Sequence, residues 1–312
     1  MGKIAFLFAG QGSQYSGMGR KLYEYNDNVR KMFDAANDLR PDTLRQMFEG
    51  TADELTVTKN TQPLMFLVDL AAAVALNDRG IHADMVAGFS LGEIAAVTYA
   101  GILKEDEAFK FVCKRGELMQ RQAEKHPGKM VAVVGATRDT VIELSTRCSV
   151  YPVNYNCPGQ IVVSGEEEKI NTFIKTLKEE GIRCIPLKVG GPFHTPYMSE
   201  ATIGLKEELG QKNLYDISSP RIPVYSNLTA TPYKEERDSI TDTLARQVSN
   251  SVLWLDTLVM MNEAGVDTFI ECGPGTVLSS FVKKTFTNAK IYNVCDVDTL
   301  NETVSKMEKD LC

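Results

Sequence analysis

Short apolar runs alternate with stretches of helical spacing along most of the 312-residue chain. Lys3–Ala9 reads as a buried strand and Asn28–Leu39 as a helix. Leu64–Leu76, rich in alanine, reads as a helix covered on most sides, and Asp84–Ala87 as a short strand. Leu91–Ala100 is helical and stops at Gly101, a residue suited to a C-cap. Glu105–Ala123 carries an apolar stripe of Ala108, Phe111, Val112, Leu118 and Met119. Alternation of strand and helix argues for an α/β fold.

The middle of the chain has a different rhythm. Met130–Ala136, Val150–Asn156, Gln160–Ser164 and Arg183–Val189 are strand-like, and Asp139–Cys148 and Glu166–Glu180 are helical. The order β-α-β-β-α-β is that of a ferredoxin-like unit. It lies between His126-Pro127-Gly128 and Gly190-Gly191-Pro192, both with the composition of linkers. The expectation is a large α/β unit over 1–127 and 191–312, with a small unit over 128–190 inserted in it.

Composition narrows the classes. Apolar residues make up 43% and charged residues 24%, with a net charge of −7 and no Lys/Arg block, which argues against nucleic acid as a partner. Seven cysteines, scattered and without a C-x-x-C pair, suggest neither a zinc site nor a disulfide framework. No apolar run reaches membrane-spanning length, and Lys3–Ala9 follows without a signal-like segment. A protein of the reducing cytoplasm, away from membranes, is expected.

Gly88-Phe89-Ser90-Leu91-Gly92 fits G-x-S-x-G and sits between a strand and a helix, the setting of a nucleophile elbow. The Leu91 N–H, at the helix start, is then placed to receive an oxyanion. Ser90 needs a base, and the chain has three histidines. His82 precedes the strand and falls at its far end. His126 lies in a Pro-Gly junction. His194, where the chain leaves the small unit, remains as the base, against the alternative of an ordinary loop histidine.

Arg115 falls on the apolar stripe, four residues after Phe111 and four before Met119. A guanidinium there needs a partner. Two readings are open: an ion pair with a carboxylate of the fold, or a planar donor for a substrate acyl group that ends in a carboxylate. The glycines of Phe6-Leu-Phe-Ala-Gly-Gln-Gly-Ser-Gln-Tyr-Ser-Gly-Met-Gly19 do not cradle a phosphate: Tyr15 stands where G-x-G-x-x-G needs its third glycine, and no Gly-Lys-Ser/Thr follows.

Together these residues resemble the malonyl-CoA:acyl-carrier-protein transacylases of bacterial fatty-acid synthesis and the related polyketide-synthase acyltransferase domains. The resemblance runs through Phe8–Gln14, Thr61-Gln62-Pro63, Gly88–Glu93, Arg115-Gly116, Val153–Gln160, Gly191–His194, Arg246-Gln247 and Glu271–Gly275. It implies an α/β-hydrolase-like large domain, a Ser90 acyl-enzyme formed with His194 as base, and an oxyanion hole of the Gln11 and Leu91 N–H groups. It implies further that the Gln247 carbonyl orients His194, that Arg115 meets the malonyl carboxylate, and that Asn154 and Asn156 contact substrate. Phe193 before His194 matches the malonyl-selective form of that motif, whereas Phe89 departs from the histidine usual before the serine, which bears on the polar contacts near the oxyanion hole. Malonyl-CoA and acyl carrier protein are the implied substrate and partner, with no cofactor, and a monomer is expected. Lys188, Lys283 and Lys284 are candidate contacts for an acidic carrier. A serine thioesterase, a malonyltransferase serving a polyketide synthase, and a non-enzymatic carrier-binding scaffold are the competing readings.

Overall fold

The computed structural model describes residues 2–311. Five strands form a parallel sheet: β1 (Lys3–Phe8), β2 (Met85–Gly88), β7 (Val224–Tyr225), β8 (Val266–Cys272) and β9 (Lys290–Val294), in the order β7-β2-β1-β8-β9. β1 runs through its middle as an unbroken apolar strand because both faces are covered. Phe6 and Phe8 pack with helix Thr58–Asp78, while Ala5 and Leu7 meet Trp254, Leu258 and Phe281 on the opposite face.

The other four strands, β3 (Gly128–Val134), β4 (Tyr151–Cys157), β5 (Gln160–Glu166) and β6 (Arg183–Pro186), form an antiparallel sheet in the order β4-β5-β3-β6. Helices Arg138–Cys148 and Glu167–Glu179 cover one face, burying Val131, Val133, Val163, Leu144 and Phe173 in a core of their own. Met130, Ala132 and Val162, on the other face, belong to the main core. The fold is α/β with a parallel and an antiparallel sheet, and the β-α-β-β-α-β order read from the sequence is present.

Boundaries shift in places with physical causes. The buried helix starts at Thr58 rather than Leu64, since Pro63 in its second turn removes only one backbone donor. The longer start carries Gln62 onto the helix. The last strand of the small sheet ends at Pro186 rather than Val189, and the chain then leads to the Gly190-Gly191-Pro192 bend. Gly128, expected in a junction, is already paired with Glu166 as the first residue of β3.

Phe8 is in register with Gly88 on one side and Cys272 on the other, so three parallel strands end level. The carboxyl ends of parallel strands are where open α/β sheets place their ligands.

Candidate active site

Beyond β2 the chain turns through Phe89-Ser90-Leu91 into helix Gly92–Tyr99. Ser90 has φ 52°, a left-handed conformation that lifts its hydroxyl off the turn at a steric cost. The flanking glycines are required by contact: a Cβ on Gly88 would lie 1.9 Å from the Gly92 carbonyl carbon, and one on Gly92 would lie 2.2 Å from the Phe8 oxygen. Asn227 brackets the turn, accepting from the Ser90 N–H (2.7 Å) and donating to the Gly88 carbonyl (2.7 Å).

His194 Nε2 lies 2.8 Å from Ser90 Oγ. Its Nδ1 faces two carbonyls, Gln247 O at 3.0 Å and Asn250 O at 3.1 Å, which places the proton on Nδ1 and leaves Nε2 as acceptor. Burial, and then the Arg115 charge, push the His194 pKa down to about 4, so the ring is neutral near pH 7. His194 too is held at positive φ (61°), anchored by its N–H to Val248 O at 3.1 Å. The other histidines are elsewhere: His82 Nδ1 is 3.0 Å from Asn77 Oδ1, and the His126 ring lies against Tyr197.

Arg115 is 1% exposed, on the inner face of helix Glu105–Lys125. Nη1 donates to Gln62 Oε1 (2.8 Å), and Nη2 to Gln247 Oε1 (2.7 Å) and Ser90 Oγ (3.2 Å); among the described residues Nε has no partner. Among the described residues no carboxylate lies within ion-pair distance of it. Desolvation lowers its pKa to about 10, and Glu93 and Tyr233 act in the other direction, so it remains a cation near neutrality.

Ser90, His194 and Arg115 open on a cavity of about 540 Å³ between the two sheets. Gln11 and Leu91 line it, and among the described residues neither N–H is given to a protein acceptor. The loop carrying Gln11 runs against the elbow: a Cβ on Gly10 would lie 2.8 Å from the Phe89 carbonyl oxygen, and Gly12 has φ +129°. Asn154 and Asn156 enter from β4, each buried, with an Oδ1 that has no partner among the described residues; Asn156 Nδ2 reaches Gln160 Oε1 at 3.1 Å. Phe193 is buried in the wall. Phe89 packs edge-on against Trp254 (5.4 Å between centroids), so this side of the cavity is apolar. Lys188 and Lys284 stand at the lining, and Lys283 does not.

All nine candidate site residues therefore border one cavity or touch a residue that does. Glu93, Asn227, Tyr233, Asn250 and the Gln62 side chain are further parts of the site that the sequence reading gave no role. Gln62 and Glu93 lay inside motifs already picked out. Asn227 and Tyr233 carried no local signal, being contacts across more than a hundred residues.

An acyl transferase domain model matches residues 5–311, and the chain belongs to that family; it is an acyltransferase. Within the family it is similar to the malonyl CoA-acyl carrier protein transacylase of Bacillus subtilis (strain 168), with 38% identity over 99% of both chains. The crystal structure of malonyl CoA-acyl carrier protein transacylase from Clostridium perfringens superposes with a TM-score of 0.93 at 37% identity, covering 98% of each chain. A malonyl-transacylase solved in complex with its type II PKS acyl-carrier protein superposes with a TM-score of 0.92 at 30% identity, over 97% of this chain and 99% of that one.

Proposed function

We propose that the protein transfers a malonyl group from malonyl-CoA to the phosphopantetheine thiol of an acyl carrier protein by way of a Ser90 acyl-enzyme, supplying fatty-acid synthesis. The observation that carries this reading is the buried guanidinium of Arg115, without a carboxylate partner among the described residues, 3.2 Å from Ser90 Oγ. A cation in that position matches an acyl group with a terminal carboxylate.

In the first half-reaction Ser90 Oγ attacks the thioester carbonyl carbon as its proton passes to His194 Nε2. The oxyanion is met by the Gln11 and Leu91 N–H groups, donors fixed before the charge develops. Collapse breaks the C–S bond, and His194 returns the proton to the CoA sulfur. In the second half the carrier thiol gives its proton to His194 and attacks the ester, and Ser90 Oγ leaves and takes the proton back. The Gln247 carbonyl keeps the imidazole in the required tautomer. Hydroxyl and imidazole supply nucleophile and base, so the reaction calls for no cofactor.

Asn154 and Asn156, with unpartnered carbonyl oxygens toward the cavity, suit the amide N–H groups of a pantetheine arm. Lys188 and Lys284 are the cations available to phosphates or an acidic carrier at the mouth. We read the large unit, 1–127 with 191–312, as α/β-hydrolase-like, and 128–190 as a ferredoxin-like insertion, a description supported by the strand order β4-β5-β3-β6. No helix among the described residues is long and apolar enough to cross a membrane; we place the protein in the cytoplasm, as a monomer.

The test is intact mass after malonyl-CoA alone. A malonyl adduct absent from Ser90→Ala, and discharged onto added carrier protein, is expected. Rapid release as free malonate would replace the transferase with a hydrolase.

A further inference from the structure

Glu93 is fully buried in the first turn of helix Gly92–Tyr99, and the reaction as written does not use it. Three donors converge on its carboxylate. Asn227 N (3.2 Å) and Tyr233 Oη (2.5 Å) reach Oε1, and Gln247 Nε2 (2.7 Å) reaches Oε2. That same Nε2 donates to Ser90 O at 2.6 Å, and the other end of the amide, Oε1, accepts from Arg115 Nη2 at 2.7 Å. The Gln247 amide is thus a spacer between a buried carboxylate and a buried guanidinium.

A side-chain amide has a donor end and an acceptor end, whereas an ionised carboxylate only accepts. With Glu93 ionised, Gln247 has one satisfied orientation: Nε2 toward Glu93 and Ser90 O, Oε1 toward Arg115. If the Glu93 position offers a donor, that end of the amide favours the turned-over orientation, in which Oε1 accepts from the donor and the contact with Ser90 O is given up. Nε2 then faces Arg115, donor against donor, and the guanidinium loses the contact that holds Nη2 beside Ser90.

We propose that Glu93 is a positioning residue for acyl-group selection: by fixing the Gln247 amide it holds the Arg115 guanidinium where the terminal carboxylate of the acyl group meets it. This rests on the reading of Arg115 as that carboxylate's partner. Protonating Glu93, like replacing it with glutamine, puts a donor where only acceptors stood. Burial pushes its pKa up to about 7, with Tyr233, Gln247, the Asn227 N–H and Arg115 acting in the opposite direction. These are the groups that face it from the elements packed around it. Selectivity should therefore titrate in the unmodified protein.

The experiment measures kcat/KM for Ser90 acylation by malonyl-CoA and by acetyl-CoA, from about pH 8.5 to about pH 5.5, for the wild type, Glu93→Gln and Arg115→Ala. Groups that act alike on both thioesters, His194 among them, cancel in the malonyl/acetyl ratio, and the malonyl carboxylate stays ionised throughout. The wild-type ratio is expected to fall roughly tenfold toward acid, the scale of one charge-assisted hydrogen bond. In Glu93→Gln the ratio should be low at every pH, and adding Gln247→Met should lower it no further than Gln247→Met does alone. A wild-type ratio flat with pH, or equal losses for both thioesters in Glu93→Gln, overturns the proposal; the wild-type profile decides it even if Glu93→Gln does not fold. If Arg115→Ala keeps the malonyl preference, the Arg115 reading falls and the proposal with it. If Arg115→Ala loses the preference and Glu93→Gln keeps it, only the proposal falls.

Discussion

Arg115 Nη2 stands 3.2 Å from Ser90 Oγ, joining the middle of one helix to the turn before another. The cation costs desolvation, and two glutamine oxygens and a serine hydroxyl offset it without a neutralising carboxylate in contact. Arg115→Ala should lower malonyl transfer by roughly 10- to 100-fold, the range for a hydrogen bond to a charged group. Acetyl transfer should be unchanged or faster. Initial rates with the two thioesters check this, and equal losses would remove the carboxylate-anchor role.

A histidine base works only while neutral, and that is the role proposed for His194. Its folded pKa is lowered to about 4, so acylation by acetyl-CoA, whose acyl group has no carboxylate for Arg115 to meet, should hold level through neutral pH and decline only as pH falls through about 4. An ordinary exposed histidine would instead put the decline near pH 6.5. Rapid-quench rates on enzyme exposed briefly to acid separate the two. His194→Ala should cost about 10²- to 10⁴-fold in rate.

The elbow glycines are steric requirements. Gly88→Ala or Gly92→Ala drives a Cβ into backbone atoms 1.9 or 2.2 Å away, which side-chain repacking cannot relieve. Each should destabilise by about 3 kcal/mol, the upper end of the usual overpacking range, or by more. Urea unfolding reads this, whereas Gly80→Ala, with open space around its Cβ, should show only the smaller strain of its positive φ.

Asp69 is fully buried in helix Thr58–Asp78, and among the described residues neither of its oxygens has a partner. Burial, and then Glu271, hold its carboxyl well above the usual range. Glu271 accepts from the N–H groups of Leu278 and Ser279, and so takes the negative charge more readily. Above the unfolded pKa of Asp69 the folded state binds the extra proton, so this residue makes stability fall as pH rises, by at most about 1.4 kcal/mol per pH unit. Asp69→Asn removes that slope. Its stability relative to wild type should climb from about pH 4 to about pH 8 in urea titrations; a constant difference would mean that Asp69 is ionised.

Phe193 closes the cavity wall next to His194. Phe193→Ser should raise the methylmalonyl-CoA rate relative to malonyl-CoA, by roughly tenfold on the scale of one methyl group in an apolar pocket. An unchanged ratio in competition assays would show that the α-branch is excluded by another residue.

Much of the fold was legible because its signals are local. The apolar continuity of Lys3–Phe8, the glycine-serine-glycine spacing at the elbow and the stripe of Glu105–Lys125 each lie within a few turns of chain. The β-α-β-β-α-β succession of elements in the small unit followed from the same short-range periodicity, whereas the strand order in its sheet did not. Boundaries shifted where the helix ran through a proline, at Pro63, and where a pairing partner extended a strand, at Gly128.

The site divides in the same way. The sequence by itself determined a candidate nucleophile, a candidate base by elimination among three histidines, and the presence of a cation on an apolar face. It left open what that cation answers to. Only the tertiary structure put Arg115 beside Ser90 with no carboxylate in contact among the described residues, and set Glu93 behind the Gln247 amide. The reason is physical: charge balance and amide orientation in a buried site depend on distances between residues far apart in the chain, and no local spacing encodes those distances.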